Sequence, residues 1–232
     1  MKIGFLSDIH GNIEALKAVM HDIKKNQVSK VYCLGDYLGY YFKPNECLNL
    51  LNKKNCKMIK GNHEEYYLRI KANKNLLKKY ENKNGKGITV ALRTISVKNY
   101  KIIQTLKRKI SFSIKENNKN FLLFHATPKS LIEKIYPDTK KKYLKKFISK
   151  KYDYYIFGHS HRRTQIEIKN KKFLNPGSVG QPRDENKGAN WLLYDANLDK
   201  FIFKNTKYSI DSILDDINKF DLDRYSKLAK YL

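Results

Sequence analysis

Five short segments hold five of the chain's six histidines, along with neighbouring carboxylates and one amide. They are Asp8-Ile9-His10, Gly35-Asp36, Gly61-Asn62-His63-Glu64, His125 and Gly158-His159-Ser160-His161. Each falls at or just beyond the end of a predicted strand. A strand tail sends alternate residues to one side, so Asp8 with His10, and His159 with His161, are each spaced to present two ligands together. The donors are carboxylate, imidazole and amide, with no thiolate. That set suits Mn, Fe, Zn or similar first-row ions and disfavours a structural zinc knot. Singly, each segment has an ordinary explanation: a Gly-Asp turn, a left-handed residue in Gly-Asn-His, a core histidine at 125. Together, at the ends of strands, they point to a metal centre. His21 sits within a helical stretch and reads as a surface residue.

An alternation of strand and helix positions these segments. Residues 2–7 form a short apolar run, and residues 12–25 carry apolar side chains at 13, 16, 19, 20 and 23, which is helical spacing. Residues 31–34 predict a second strand. Pro44 opens a helix carrying Cys47, Leu48, Leu50 and Leu51, and residues 57–60 predict a third strand. Repeated βα units call for a largely parallel sheet covered by helices, and such sheets gather their sites at the carboxyl ends of the strands. From Glu64 to about Lys107 the pattern is helical and basic, with a break at 82–85. Residues 66–107 are expected to form a helical insertion, or small cap, shaping one wall of the pocket. Residues 109–116 alternate, and NNKN then turns into the apolar run FLLFHA. Residues 140–151 place Tyr143, Leu144, Phe147 and Ile148 on one helical face, expected to dock on the core rather than on a membrane. Strands are predicted at 154–157, 164–168 and 172–174. Residues 190–194 and 201–203 flank a hairpin turn, and 206–232 reads as a helical tail. Without repeat or linker, 1–232 is expected to be a single domain.

The composition narrows the function classes. Hydrophobic residues at 41% and aromatics at 12% belong to a globular chain rather than a disordered one. No apolar run is long enough to span a bilayer, and the opening MKIGFLSDIHGN is too polar for a secretion signal. Cys33, Cys47 and Cys56 are odd in number and lack a CxxC spacing. They read as apolar fillers in a reducing cytoplasm. The net charge of +26 can mark a nucleic-acid binder. Only seven of the 48 basic residues are Arg, however, and the lysines are scattered among asparagines, which reads as a solvated surface that attracts anions generally.

The order D-x-H, G-D-x-x-G, G-N-H-E, H, G-H-S-H resembles the calcineurin-like metallophosphoesterase superfamily from residue 1 to about 205. SDIHGN, GDYLGY…PNE and NPGSVGQPRD resemble its small bacterial and archaeal phosphoesterase branch. The resemblance implies an α/β fold, a four-layer α/β/β/α sandwich, here with the helical insertion after the third strand. It implies two divalent metal ions, with Mn the first choice and Fe, Zn, Ni or Mg the others. Asp8, His10 and His161 would hold the first metal. Asn62, His125 and His159 would hold the second, and the Asp36 carboxylate would bridge both. A hydroxide between the metals would attack phosphorus in line. His63 would be the catalytic residue, protonating the leaving oxygen or stabilising its charge. Arg183 and then Arg162 are the candidates for substrate contact, and Asn175-Pro176-Gly177-Ser178 is expected to be a tight turn beneath the site.

One departure from the superfamily matters. The protein phosphatase branch carries G-D-x-x-D-R-G, whereas this chain reads Gly35-Asp36-Tyr37-Leu38-Gly39-Tyr40, without the second Asp and the Arg. That argues against a protein phosphatase or a symmetrical dinucleoside tetraphosphatase. The resemblance implies hydrolysis of a small phosphorylated substrate, phosphodiesters before monoesters. A non-catalytic protein-binding scaffold of the same fold would lack ligands, and none is missing here. A nuclease would use the same chemistry and is motivated by the charge, but the scarcity of Arg counts against it. The sequence leaves the oligomeric state open.

Overall fold

In the computed structural model, which describes residues 1–106, 111–185 and 187–232, ten strands build two sheets. In chain order the strands are β1 (Lys2–Leu6), β2 (Lys30–Cys33), β3 (Lys57–Met58), β4 (Ser111–Glu116), β5 (Lys119–Phe124), β6 (Tyr154–Ile156), β7 (Arg163–Ile168), β8 (Lys171–Pro176), β9 (Ala189–Asp195) and β10 (Lys200–Thr206). The helices are α1 (Ile13–Lys25), α2 (Pro44–Lys53), α3 (Asn62–Ala72), α4 (Leu77–Asn84), α5 (Gly87–Thr94), α6 (Val97–Leu106), α7 (Lys141–Lys145), α8 (Asp211–Asp221) and α9 (Tyr225–Ala229).

Local chemistry explains the first βα units. Asn12 caps α1 by accepting from the Ala15 N–H at 3.0 Å, and the helix buries Leu16, Val19 and Ile23 on one face. Pro44 occupies the first turn of α2, where its missing N–H costs nothing. The first sheet has the order β10-β9-β1-β2-β3, with β1, β2 and β3 parallel. The second has the order β4-β5-β6-β8-β7, with β5, β6 and β8 parallel. Antiparallel hairpins β9–β10, β4–β5 and β7–β8 form one edge of the first sheet and both edges of the second.

The sheets face each other across an apolar layer that includes Ile3, Phe5, Leu34, Phe121, Leu123, Ile156, Leu192 and Tyr194. Outside the first sheet, α1, α2 and the insertion helices bury Leu16, Leu48, Leu51, Tyr67 and Ile103 in a second cluster. Outside the second sheet, α7 and the irregular chain around it cover Phe124, Tyr155, Phe157 and Phe173. The result is the expected four-layer α/β/β/α sandwich. The C-terminal helices α8 and α9 add a separate cluster with Tyr41, Phe42 and Val90, and no helix among the described residues is long and apolar enough to cross a membrane.

Two elements are shorter than the sequence predicts. β3 pairs through only Lys57 and Met58, because the chain leaves the sheet at Ile59 to reach the site. The helix expected over 140–151 is α7 alone. After Lys145 the chain tightens into i→i+3 bonds, Phe147 N to Leu144 O at 3.0 Å and Ile148 N to Lys145 O at 3.2 Å. Phe147 and Ile148 still reach the same cluster. Lys107, and the strand opening expected at 109–110, lie outside the described residues.

Phe121 is fully buried between the sheets, with ring centroids 5.0 Å from Tyr154 and 5.2 Å from Tyr194. Phe121→Ala is expected to cost about 3–5 kcal/mol of stability, read as a lower denaturant midpoint at unchanged slope. A loss below about 1 kcal/mol would mean the inter-sheet layer does not hold the sandwich together.

Candidate metal centre

The five segments follow β1, β2, β3, β5 and β6, all strands with parallel partners, with Asn62-His63-Glu64 forming the first turn of α3 and the others in loops. Because the sheets stack with these ends at one edge of the sandwich, residues far apart in sequence meet there. The two-residue spacing works differently from the extended tail expected. Asp8 and His10 lie beyond the end of β1, and His159 and His161 beyond β6. Asp8, His10, Asp36, His159 and His161 all adopt left-handed backbone, with φ between 53° and 67°. Such conformations are costly for side-chain-bearing residues and persist where the surroundings enforce them. Here the left-handed turns aim the side chains inward.

Three groups of donor atoms come within ligand distance of one another: Asp8 with His10 and His161, His10 with Asp36 and His63, and Asp36 with His125 and His159. Asp36 Oδ2 lies 3.8 Å from His10 Nε2, 3.8 Å from His63 Nε2 and 3.4 Å from His125 Nε2. The Asn62 Oδ1 is 2.8 Å from His125 Nε2. All of the expected ligands are therefore brought together.

The far nitrogens of the rings decide what the near ones can do. His10 Nδ1 faces the Leu38 carbonyl at 2.9 Å, and His161 Nδ1 faces the Gln181 carbonyl at 2.7 Å. A carbonyl accepts only, so each Nδ1 is the protonated nitrogen and each Nε2 of a neutral ring carries a lone pair. Those two Nε2 atoms are 3.0 Å apart. The Asp8 Oδ1 lies 3.4 Å from His161 Nε2 and is buried without a hydrogen-bond partner. Two lone pairs and an orphaned carboxylate oxygen repel unless a cation sits among them, so this donor set fits a metal. His159 repeats the pattern with its nitrogens exchanged: Nε2 faces the Ile132 carbonyl at 3.1 Å, which leaves Nδ1 for the centre.

Burial holds His10 and His161 well below the usual imidazole range, and pushes His159 down to about 3 and His63 down to about 4. These rings are neutral at neutral pH, as ligation requires. Burial would also lower His125, but the Asp36 carboxylate outweighs it and holds this ring up at about 9. Asp8 is pushed up to about 7 by burial, with the Asp36 charge adding to it. Burial works to raise Asp36 too, yet the His125 and His63 charges hold it well below the usual carboxylate range. The dry cluster thus balances its charge through protons on His125 and Asp8, a balance that a divalent cation supplies without them.

Glu64 organises the centre without entering it. Its Oε1 accepts from the N–H groups of Tyr37 at 2.8 Å and Leu38 at 3.3 Å, and its Oε2 from those of Asp36 at 2.9 Å and Gly61 at 2.8 Å. Burial and the Asp36 charge raise its carboxyl to about 7, against the four N–H groups that favour the anion. One buried carboxylate therefore ties the loop after β2 to the loop after β3. The sequence carried the signal, a Glu at the third position of a helix that reaches back to the cap residue, but its reach to 36–38 is visible only in the fold. Asn175 and Ser178 act below the site: Asn175 Nδ2 donates to Gly158 O at 2.7 Å, and Ser178 Oγ to Asp8 O at 2.6 Å.

A cavity of about 110 Å³ opens onto Asp36, Asn62, His63, His159 and His161, with Tyr40, Tyr66, Lys83, Asn84, Ile132, Lys134 and Arg183 around it. Tyr66, Lys83 and Asn84 come from the insertion. Arg183 hydrogen-bonds Tyr40 at 3.3 Å and Gln181 at 3.2 Å. Arg162 is exposed and faces an adjoining cleft of about 340 Å³ that shares Arg183. His21 is exposed on α1. A cavity of about 560 Å³ beside α1 and β2 has no histidine or carboxylate in its lining among the described residues and is unrelated to the centre.

Residues 1–197 match the Calcineurin-like phosphoesterase superfamily domain. The chain is 32% identical to an uncharacterized protein of Methanocaldococcus jannaschii, over 94% of this chain and 92% of that one. Its fold is similar to that of a metallophosphoesterase from Sphaerobacter thermophilus, with a TM-score of 0.80 at 20% identity over the whole of both chains. A hypothetical protein from Pyrococcus horikoshii also gives 0.80, at 19% identity, over 98% of this chain and 97% of that one.

Chelator-treated protein is expected to gain thermal stability when Mn²⁺ is added, by about 2.7 kcal/mol at a hundredfold excess over the dissociation constant. Asp8→Asn is expected to shrink that gain, and an unchanged melting curve for the wild type in every divalent ion would exclude a metal centre here. Glu64→Gln replaces one of two acceptor oxygens with a donor facing two N–H groups. Metal affinity measured by calorimetry is expected to fall about 10- to 100-fold; an unchanged affinity would remove Glu64 from the architecture of the site.

Proposed function

This chain belongs to the calcineurin-like phosphoesterase superfamily, and on that premise we propose that it hydrolyses small phosphodiesters, in preference to monoesters, at a centre of two divalent cations. The observation that carries the proposal is the position of Asp36. Its carboxylate belongs to two of the three donor groups, one with His10 and His63 and one with His125 and His159, so it faces a ligand proposed for each cation. Asp8, His10 and His161 would hold one cation, and Asn62, His125 and His159 would hold the other. Mn is the first choice for such an N/O set, with Fe, Zn, Ni or Mg as alternatives. The cations supply Lewis acidity toward the phosphoryl oxygens and lower the pKa of the attacking water.

The chain's own residues do the rest. Arg183, Lys83 and Lys134 line the cavity and draw in the anionic phosphoryl group. In the reaction, water forms the new P–O bond, the ester P–O bond breaks with its electron pair on the leaving oxygen, and a proton from the water ends on the leaving alcohol. His63 is neutral, its pKa lowered to about 4 mainly by burial, so it acts as a hydrogen-bond donor to the charge developing on that oxygen. A cavity of about 110 Å³ suits a phosphoryl group and the first atoms of its ester arms, which supports a small substrate over a polynucleotide. The complete donor set counts against a scaffold role. Cys33, Cys47 and Cys56 are free and buried, which supports a reducing compartment such as the cytoplasm.

The test is hydrolysis of bis-p-nitrophenyl phosphate beside p-nitrophenyl phosphate by chelator-treated protein given Mn²⁺, Ni²⁺, Zn²⁺ or Mg²⁺. Turnover is expected to need metal and to favour the diester. Asp36→Ala is expected to lower it at least about 10³-fold, and His63→Ala about 10²- to 10⁴-fold with metal uptake retained. Faster monoester turnover would reverse the diester assignment. Full activity in Asp36→Ala would end the two-cation reading.

A further inference from the structure

Tyr80 stands on α4, in the insertion, and its phenol oxygen lies 2.6 Å from His63 Nδ1. Both side chains are buried. Among the described residues this is the hydrogen bond that joins the insertion to a residue of the centre. Its direction follows from counting partners. A phenol has one hydrogen to give, and Tyr80 Oη has no other hydrogen-bond partner among the described residues. Donation to Nδ1 is thus the arrangement that orphans no buried O–H. Nδ1 is then the acceptor, and the ring proton resides on Nε2, the nitrogen that faces Asp36 Oδ2 at 3.8 Å.

The surroundings hold the ring but do not choose between its two faces. His10 and Tyr40 close on it with centroids at 4.6 and 5.2 Å. Gly39 leaves space beside both rings: a Cβ there would fall 2.3 Å from His63 Nδ1 and 2.9 Å from His10 Nδ1. A half-turn of the imidazole would keep this packing while exchanging Nδ1 for a carbon. The hydroxyl of Tyr80 at Nδ1, with the Asp36 carboxylate beyond Nε2, distinguishes the two orientations. The helix that carries it is itself fixed from the C-terminal tail. Arg224 donates to the carbonyls of Glu81 at 2.6 Å, Asn82 at 3.1 Å and Lys83 at 3.1 Å in the last turn of α4, where helix carbonyls run out of N–H partners. Asp221 accepts from the Lys86 N–H at 2.8 Å just beyond.

We propose that Tyr80 is the positioning residue for His63: its hydroxyl fixes the Nε2–H tautomer and aims that N–H into the cavity, toward the leaving oxygen of the ester. The second half rests on the phosphoesterase reading given above; the tautomer itself does not. The insertion then completes the catalytic apparatus as well as walling the pocket.

Tyr80→Phe keeps the ring and removes the donor. Histidine ¹⁵N spectra of the full chain, with Mg²⁺ as a diamagnetic metal and His63 assigned by its loss in His63→Gln, are expected to show Nε2–H in the wild type. In Tyr80→Phe they are expected to show a mixture of tautomers. On diesters with alkyl leaving groups, the variant's kcat is expected to fall about tenfold at unchanged KM, and on p-nitrophenyl esters less than about threefold, because a good leaving group needs less stabilisation. An Nδ1-protonated His63 in the wild type, an unchanged tautomer in the variant, or equal losses on every leaving group overturns the proposal. A wild type inactive on all esters but with the stated tautomers sinks the phosphoesterase reading and upholds the Tyr80–His63 pairing.

Discussion

Asp8 and Asp36 are shut away from solvent beside five imidazoles, and satisfying that buried charge is the constraint to which the surrounding structure answers. A carboxylate withdrawn from water is costly unless paired or hydrogen-bonded. Asp8 Oδ2 accepts from the His159 N–H at 3.0 Å, and Asp36 Oδ1 from the His63 N–H at 2.8 Å. The remaining oxygens face only imidazole nitrogens. Backbone carbonyls of Leu38 and Gln181 fix the far side of His10 and His161, so that lone pairs are left where the carboxylates converge. A divalent cation would resolve this crowding.

The loops achieve this with strained backbone and close approaches. Left-handed residues cluster at the ligands themselves, and the strain is held by neighbours with no room to relax. A Cβ on Gly61 would sit 2.2 Å from Asp36 Oδ1, and one on Gly180 would sit 1.9 Å from Ile9 O. Glu64 then locks two of the loops into one unit. The precision comes from the stacking of the two sheets, since loops from both must arrive in register for the donor atoms to meet.

The insertion and the tail form the third part of the design. Their sequences carry no motif, yet α3 and α4 supply Tyr66, Tyr80, Lys83 and Asn84 around the cavity, and the tail caps the end of α4. The strongly basic composition of the insertion serves two ends at once, a solvated outer face and a positive potential over the cavity mouth. Substrate choice is expected to reside in this part of the chain, because it is the wall that the ester arms would touch.

The sequence by itself determined the donor types, their place after strands and the βα order, since a strand and the loop after it are covalently continuous and hydrophobic period marks both. It misjudged the lengths of β3 and α7, where burial is achieved by turns that periodicity does not register. Tertiary structure alone decided which donors meet: His10 and His161 touch across 151 residues of chain, and no local pattern encodes that distance. It also decided the left-handed φ values at the ligands, the four N–H groups on Glu64, the outward placement of Arg162 and the pairing of Tyr80 with His63. Each of these depends on what the rest of the fold brings alongside, and a side chain's partners are set by packing rather than by its neighbours in sequence.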